Sequence, residues 1–124
     1  MAKRYINTVA LWKQTSLGTQ GTAGTITSDP IDLRDINRQG NISMSYKLAL
    51  AGTFNTCGST IFSYLTCPVY DGVYFAAGTF GTFGNAATQG NLAIASPALS
   101  PFIKINAASG TSAPVVVTAE LHVQ

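Results

Sequence analysis

Asn41-Ile42-Ser43-Met44-Ser45-Tyr46-Lys47-Leu48-Ala49-Leu50 sets Ile42, Met44, Tyr46, Leu48 and Leu50 on one face and Ser43, Ser45, Lys47 and Ala49 on the other. A period of two is that of a strand with one face in a core and the other in water. The same alternation closes the chain. Over Val115–Val123, Val115, Val117, Ala119, Leu121 and Val123 share a face, while Thr118, Glu120 and His122 point away. Between these ends, 59–67 is rich in β-branched and aromatic residues (Thr60, Ile61, Phe62, Tyr64, Leu65, Thr66) and 102–106 reads Phe-Ile-Lys-Ile-Asn. Both compositions favour strands. A less cleanly patterned strand is expected at 5–12, and shorter ones at 25–28, 73–76 and 91–95.

Turn formers separate these runs. Asp71-Gly72 is a two-residue hairpin signal joining 68–70 to 73–75, and Ser28-Asp29-Pro30, Gly40-Asn41 and Ser109-Gly110-Thr111 mark further reversals. No window carries a capped period of 3.6 residues, although one turn of helix fits 33–37. Two stretches read as irregular: 14–24, rich in Gly, Thr, Ser and Gln, and 78–90, which holds the tandem Gly78-Thr79-Phe80-Gly81-Thr82-Phe83. The expected architecture is therefore all-β: an antiparallel β-sandwich or jelly roll of about eight strands in a single domain. Residues 1–24 supply an N-terminal strand and polar arm, and 25–124 the sandwich body.

Composition narrows the function. The 124 residues are 46% apolar but only 10% charged, against about 25% charged in ordinary soluble domains. A surface of Ser, Thr, Asn, Gln, Gly and exposed apolar groups suits a protein packed against neighbours. The net charge of +2 comes from dispersed cations (Lys3, Arg4, Lys13, Arg34, Arg38, Lys47, Lys104), and no basic run offers a phosphate-binding stripe. No direct nucleic-acid partner is expected. Nor is a membrane, because the apolar stretches are interrupted every few residues and a spanning helix needs about 20. Met1-Ala2-Lys3-Arg4 is not followed by an uninterrupted apolar core of a secretory signal, so synthesis and retention in a cytoplasm are expected. Under those conditions Cys57 and Cys67 are expected to be small buried hydrophobes rather than a disulfide.

The chemical candidates each meet a simpler reading. Asp29, Asp32 and Asp35 lack the alternate-residue spacing of a calcium loop, and Arg34 stands between two of them, so turn formation and ion pairing account for them. Glu120 is the sole glutamate and leaves no acid–base pair of glutamates. His122 has no Ser or Cys partner in a recognisable motif. The 78–84 glycine run lacks the Lys-Ser/Thr ending of a phosphate loop. No enzymatic activity, cofactor or metal is expected. What remains are aromatic side chains fit for an interface: Phe80 and Phe83 in the glycine-rich stretch, Tyr70 and Tyr74 around Asp71-Gly72, and Trp12. Phe80 and Phe83 serve equally as plugs of the sandwich's open end, and Tyr70, Tyr74 and Phe75 as a sugar-stacking platform or, more simply, as cross-strand partners.

Taken together, Thr27-Ser28-Asp29-Pro30-Ile31-Asp32-Leu33, Gly40-Asn41-Ile42-Ser43-Met44-Ser45-Tyr46, Tyr70-Asp71-Gly72-Val73-Tyr74, Ser100-Pro101-Phe102-Ile103-Lys104-Ile105 and Thr118-Ala119-Glu120-Leu121-His122-Val123-Gln124 resemble the jelly-roll cement or decoration proteins of tailed-bacteriophage capsids. The likeness covers about residues 25 to 124 and rests on strand pattern and turn placement. It implies a structural virion protein, assembled in the host cytoplasm, that binds the outer surface of the major capsid protein as a dimer or trimer and holds capsomers together. The alternative is a carbohydrate-binding β-sandwich of a head fibre or tail, motivated by Trp12, Tyr70 and Tyr74. A self-assembling coat protein of a small virus is a third reading, and it lacks the basic interior that a packaged genome asks for.

Overall fold

A computed structural model describes residues 7–34, 42–94, 100–111 and 113–123. Among them are nine strands and no helix: β1 (Asn7–Leu17), β2 (Thr25–Thr27), β3 (Ile31–Asp32), β4 (Ile42–Leu50), β5 (Thr60–Cys67), β6 (Phe75–Phe83), β7 (Thr88–Ile94), β8 (Phe102–Ser109) and β9 (Val115–Val123).

The pairing is that of one long hairpin. β1 runs antiparallel to β9, β2 and β3 to β8, β4 to β7, and β5 to β6. The doubled ribbon then wraps, so that β9 also joins β4 and β8 also joins β5. Two sheets result, β1-β9-β4-β7 and β2-β8-β5-β6, with β3 extending the β2 side along β8. That winding is a jelly roll, and the expected antiparallel sandwich is the observed fold.

The core lies between the two sheets. Val115, Val117, Ala119, Leu121 and Val123 of β9 are all buried, and they face Ile103, Ile105 and Ala107 of β8 and Phe62 of β5 in one cluster. Ile42, Met44 and Leu48 of β4 join them as the alternation requires. Leu50, at the end of the strand, is exposed. Burial of such side chains is worth about 1.5–3 kcal/mol each before the entropy of ordering is charged against it.

Four expectations change. Residues 78–90 are strand for most of their length, because β6 and β7 meet at a short connection, 84–87. The repeat hid this. Phe80 and Phe83 are three apart, so in a regular strand they would face opposite ways. Two irregularities leave Ala77 and Phe80 without a counterpart on β5. These bulges reset the alternation, and both rings turn inward. At 14–24 the strand continues to Leu17; only 18–24 is loop, tied down where Gly24 and Ser109 hydrogen bond through their backbones. Asp71-Gly72 is not a two-residue turn. β5 and β6 are joined by 68–74, and neither Asp71 nor Gly72 has positive φ. Ser28-Asp29-Pro30 interrupts a strand rather than reversing it, since β2 and β3 run the same way along β8. The turn of helix expected at 33–37 and the reversal at Gly40-Asn41 fall largely outside the described residues.

Candidate interaction surface

The outer face of the β2-β8-β5-β6 sheet carries the 68–74 loop. Alternation along β8 sends Ile103, Ile105 and Ala107 inward and Phe102, Lys104 and Asn106 outward, yet Phe102 is only 4% exposed. The loop and its neighbours cover it. The Tyr70 ring meets Phe102 edge-on with centroids 5.7 Å apart. The Arg34 guanidinium lies 4.9 Å from the Phe102 ring centroid, and Asp32 holds Arg34 in place with bonds of 3.0 Å to Nε and 2.8 Å to Nη2. Beside this, Lys104 Nζ sits 4.3 Å from the Tyr74 ring centroid, and Tyr74 Oη donates to the Tyr70 carbonyl at 2.7 Å. Cys67, paired with Phe102, is buried under the same loop. A small second hydrophobic cluster therefore forms outside the sheet.

That scaffold holds an apolar tip in water. Val69 and Tyr70 on the loop are exposed, Val73 is 71% exposed, and Phe75 at the start of β6 is 65% exposed. At Gly72 a Cβ would meet the Val69 side chain and approach Cys67 Sγ to 2.7 Å, so any larger residue makes the inner side of the loop give way. The loop is thus packed on its inner side and apolar on its outer side.

The five aromatic candidates divide. Tyr70 is exposed and Tyr74 half-buried with Lys104 over its ring. Phe80 and Phe83 pack against the main core, Phe80 stacked on Phe62 at 6.2 Å and Phe83 beside Tyr46 at 4.7 Å. Trp12 is buried in the other sheet. Trp12, Tyr70 and Tyr74 consequently share no surface. Phe75, placed beside the turn by the sequence, joins the tip; Val69 and Val73, which complete it, were read only as hairpin residues, and consecutive apolar residues beside a turn were the available signal.

The other outer face, that of β1-β9-β4-β7, holds a hydrogen-bonded string. Thr8 Oγ1 lies 3.1 Å from His122 Nδ1, His122 Nε2 lies 2.9 Å from Ser45 Oγ, and Ser45 Oγ donates to Asn91 Oδ1 at 2.6 Å. The string crosses all four strands. It gives His122 the serine neighbour that no sequence motif announced. The string ties strands together.

The remaining candidates settle locally. Asp32 pairs with Arg34 at 2.8 Å, and those hydrogen bonds lower its pKa to about 2. Asp35 lies outside the described residues. Cys57 and Cys67 are both free thiols: Cys57 belongs to the main core, Cys67 to the cluster beneath the loop. Burial pushes the Cys57 thiol up, which makes it a poor nucleophile. Among the described residues no group of three or more His, Cys, Asp or Glu is placed to hold a metal ion. No described helix is long and apolar enough to cross a membrane. No protein-family model matches the chain, and no curated protein matches its sequence.

Proposed function

We propose that this chain is a structural virion protein: a cement or decoration protein that docks on the outer surface of a phage major capsid protein and stabilises contacts between capsomers. The observation that carries the reading is the apolar tip, Val69, Tyr70, Val73 and Phe75, held in water by a loop that is itself packed on Phe102. An exposed apolar group that is pre-ordered loses little entropy on docking, which is what a rigid contact on a repeating shell needs. The charge-poor surface and the jelly-roll winding support the same reading. Copies of one modest contact on a shared shell act together, so each needs only moderate strength.

The test is co-sedimentation of the purified protein with mature and with expanded empty capsids of the phage that encodes it. Saturable binding in stoichiometric copies is expected. Val73→Asp, at the most exposed apolar position, is expected to weaken it by about tenfold or more without changing the melting temperature. Absence of the chain from virions, together with no binding to either capsid form, overturns the proposal.

A further inference from the structure

We infer that β7 is a self-pairing edge, through which two copies of this chain join antiparallel about a two-fold axis to make one continuous eight-stranded sheet. An unpaired edge strand offers a row of free N–H and C=O groups, and proteins ordinarily blunt such edges with charges, bulges, prolines or short strands. Among the described residues the sandwich has four edge regions, and three are blunted. β1 is bulged on both sides of Trp12 and carries Lys13. The β2–β3 edge is broken into strands of three and two residues around Pro30, with Asp32 in the second. β6 carries two bulges. β7 has none of these devices. Its seven residues, Thr88–Ile94, pair with β4 in unbroken register, and the whole span 72–103 contains no Asp, Glu, Lys, Arg or His.

The sequence of β7 selects a second copy as the occupant. With Asn91 on the axis, Leu92 stands opposite Gly90 of the second copy, Ala93 opposite its Gln89, and Ile94 opposite its Thr88. Each large inner side chain thereby meets a small one. The polar string on the outer face ends at Asn91, whose Oδ1 is taken by Ser45. In this register Asn91 stands opposite Asn91 of the second copy, and a carboxamide is self-complementary, able both to donate and to accept. Two uncharged strands meet without repulsion. Seven residues span about 23 Å, so the contact falls in the smallest interface class, below about 1,200 Å². The dimer is accordingly weak and concentration-dependent. This pairing uses a different surface from the 68–75 tip, so its test can fail while docking through the tip stands, and the reverse.

Sedimentation velocity on the full chain, from micromolar to millimolar, tests it. A monomer–dimer equilibrium is expected. Asn91→Lys and Asn91→Asp, which place like charges face to face on the axis, are each expected to weaken association by about tenfold or more. An equimolar mixture of the two is expected to recover the wild-type value within about threefold, with opposite charges now paired. Ala10→Lys, on the β1 edge, is expected to change nothing. Should the Asn91 variants fail to fold, the Gln89→Lys/Ala93→Asp double variant reads the same register, since each introduced lysine faces an introduced carboxylate across the axis and dimerisation tightens. A wild type that stays monomeric to about 1 mM, a trimer or larger assembly, association insensitive to both Asn91 charges, no recovery in the mixture, or a folded double variant that does not tighten overturns the inference.

Discussion

The two outer faces of this sandwich solve the same problem in opposite ways. On β1-β9-β4-β7 the outward residues Thr8, His122, Ser45 and Asn91 hydrogen bond in a line across the strands, with Lys47 and Glu120 beside them. That face meets water directly. On β2-β8-β5-β6 an outward phenylalanine, Phe102, is roofed by Tyr70 and Arg34, and the roof presents Val69, Val73 and Phe75 in turn. The first face is finished by hydrogen bonds that solvent can replace. The second is built by apolar packing that solvent cannot replace. Stability should therefore be concentrated in the roofed face, and tolerance to substitution in the string.

The largest effect is expected at Phe102. Phe102→Ala removes the ring on which the loop rests, at a cost of about 3 kcal/mol in urea denaturation, toward the lower end for Phe→Ala because the cluster has one thin wall. Fluorescence of Tyr70 should shift together with the stability loss. Gly72→Ala comes next: its added methyl meets Val69 and Cys67, and an overpacked loop costs about 1–3 kcal/mol. A neutral Gly72→Ala would show that the loop yields freely and that the roof is not a fixed structure.

The sequence disclosed the two faces unequally. β4 and Val115–Val123 were readable because each is buried on one side and wet on the other, which writes a period of two directly into the residues. Phe102 belonged to a recognised strand, but its burial did not follow from the pattern. Alternation assigns it to the outside, and its covering groups, Arg34 and Tyr70, both lie more than thirty positions earlier in the chain. β6 was obscured by its bulges, which turn a three-residue Gly-Thr-Phe repeat into a strand that faces inward twice. β1 was shortened for the same reason: shifts around Trp12 break its period, and Gln14 takes φ of 47°. The string was illegible because it depends on register. Thr8 and Asn91 flank His122 and Ser45 only once β1, β9, β4 and β7 are aligned. Of the tip, the aromatic Tyr70 and Phe75 were found and the aliphatic Val69 and Val73 were not.

A smaller effect is expected on the polar face. Ser45→Ala breaks the string between β9 and β7, but water reaches the freed groups of His122 and Asn91. The loss should stay below about 1 kcal/mol in the same urea assay. A loss matching that of Phe102→Ala would erase the distinction between the faces.

The smallest effect is acid-dependent and sits at the margin of the roof. Asp32 is held by Arg34, and the side-chain hydrogen bond between them is the main reason its pKa falls from 3.8 to about 2. A group whose pKa is lower in the folded state binds its proton more readily when unfolded, so it stabilises the fold above the unfolded value and ceases to do so as pH falls through the folded one. The contribution is thus complete above about pH 4 and fades between pH 4 and 2. Both partners are largely in water, so the pair itself adds little and weakens with salt. Its consequence is positional: a protonated Asp32 loosens its hold on the Arg34 guanidinium over Phe102. Carboxyl NMR should therefore follow Asp32 titrating near pH 2, with the Phe102 ring resonances moving on the same curve. In Arg34→Gln the Asp32 midpoint should rise toward 3.8. Phe102 resonances indifferent to that titration would mean that the loop alone keeps this ring dry.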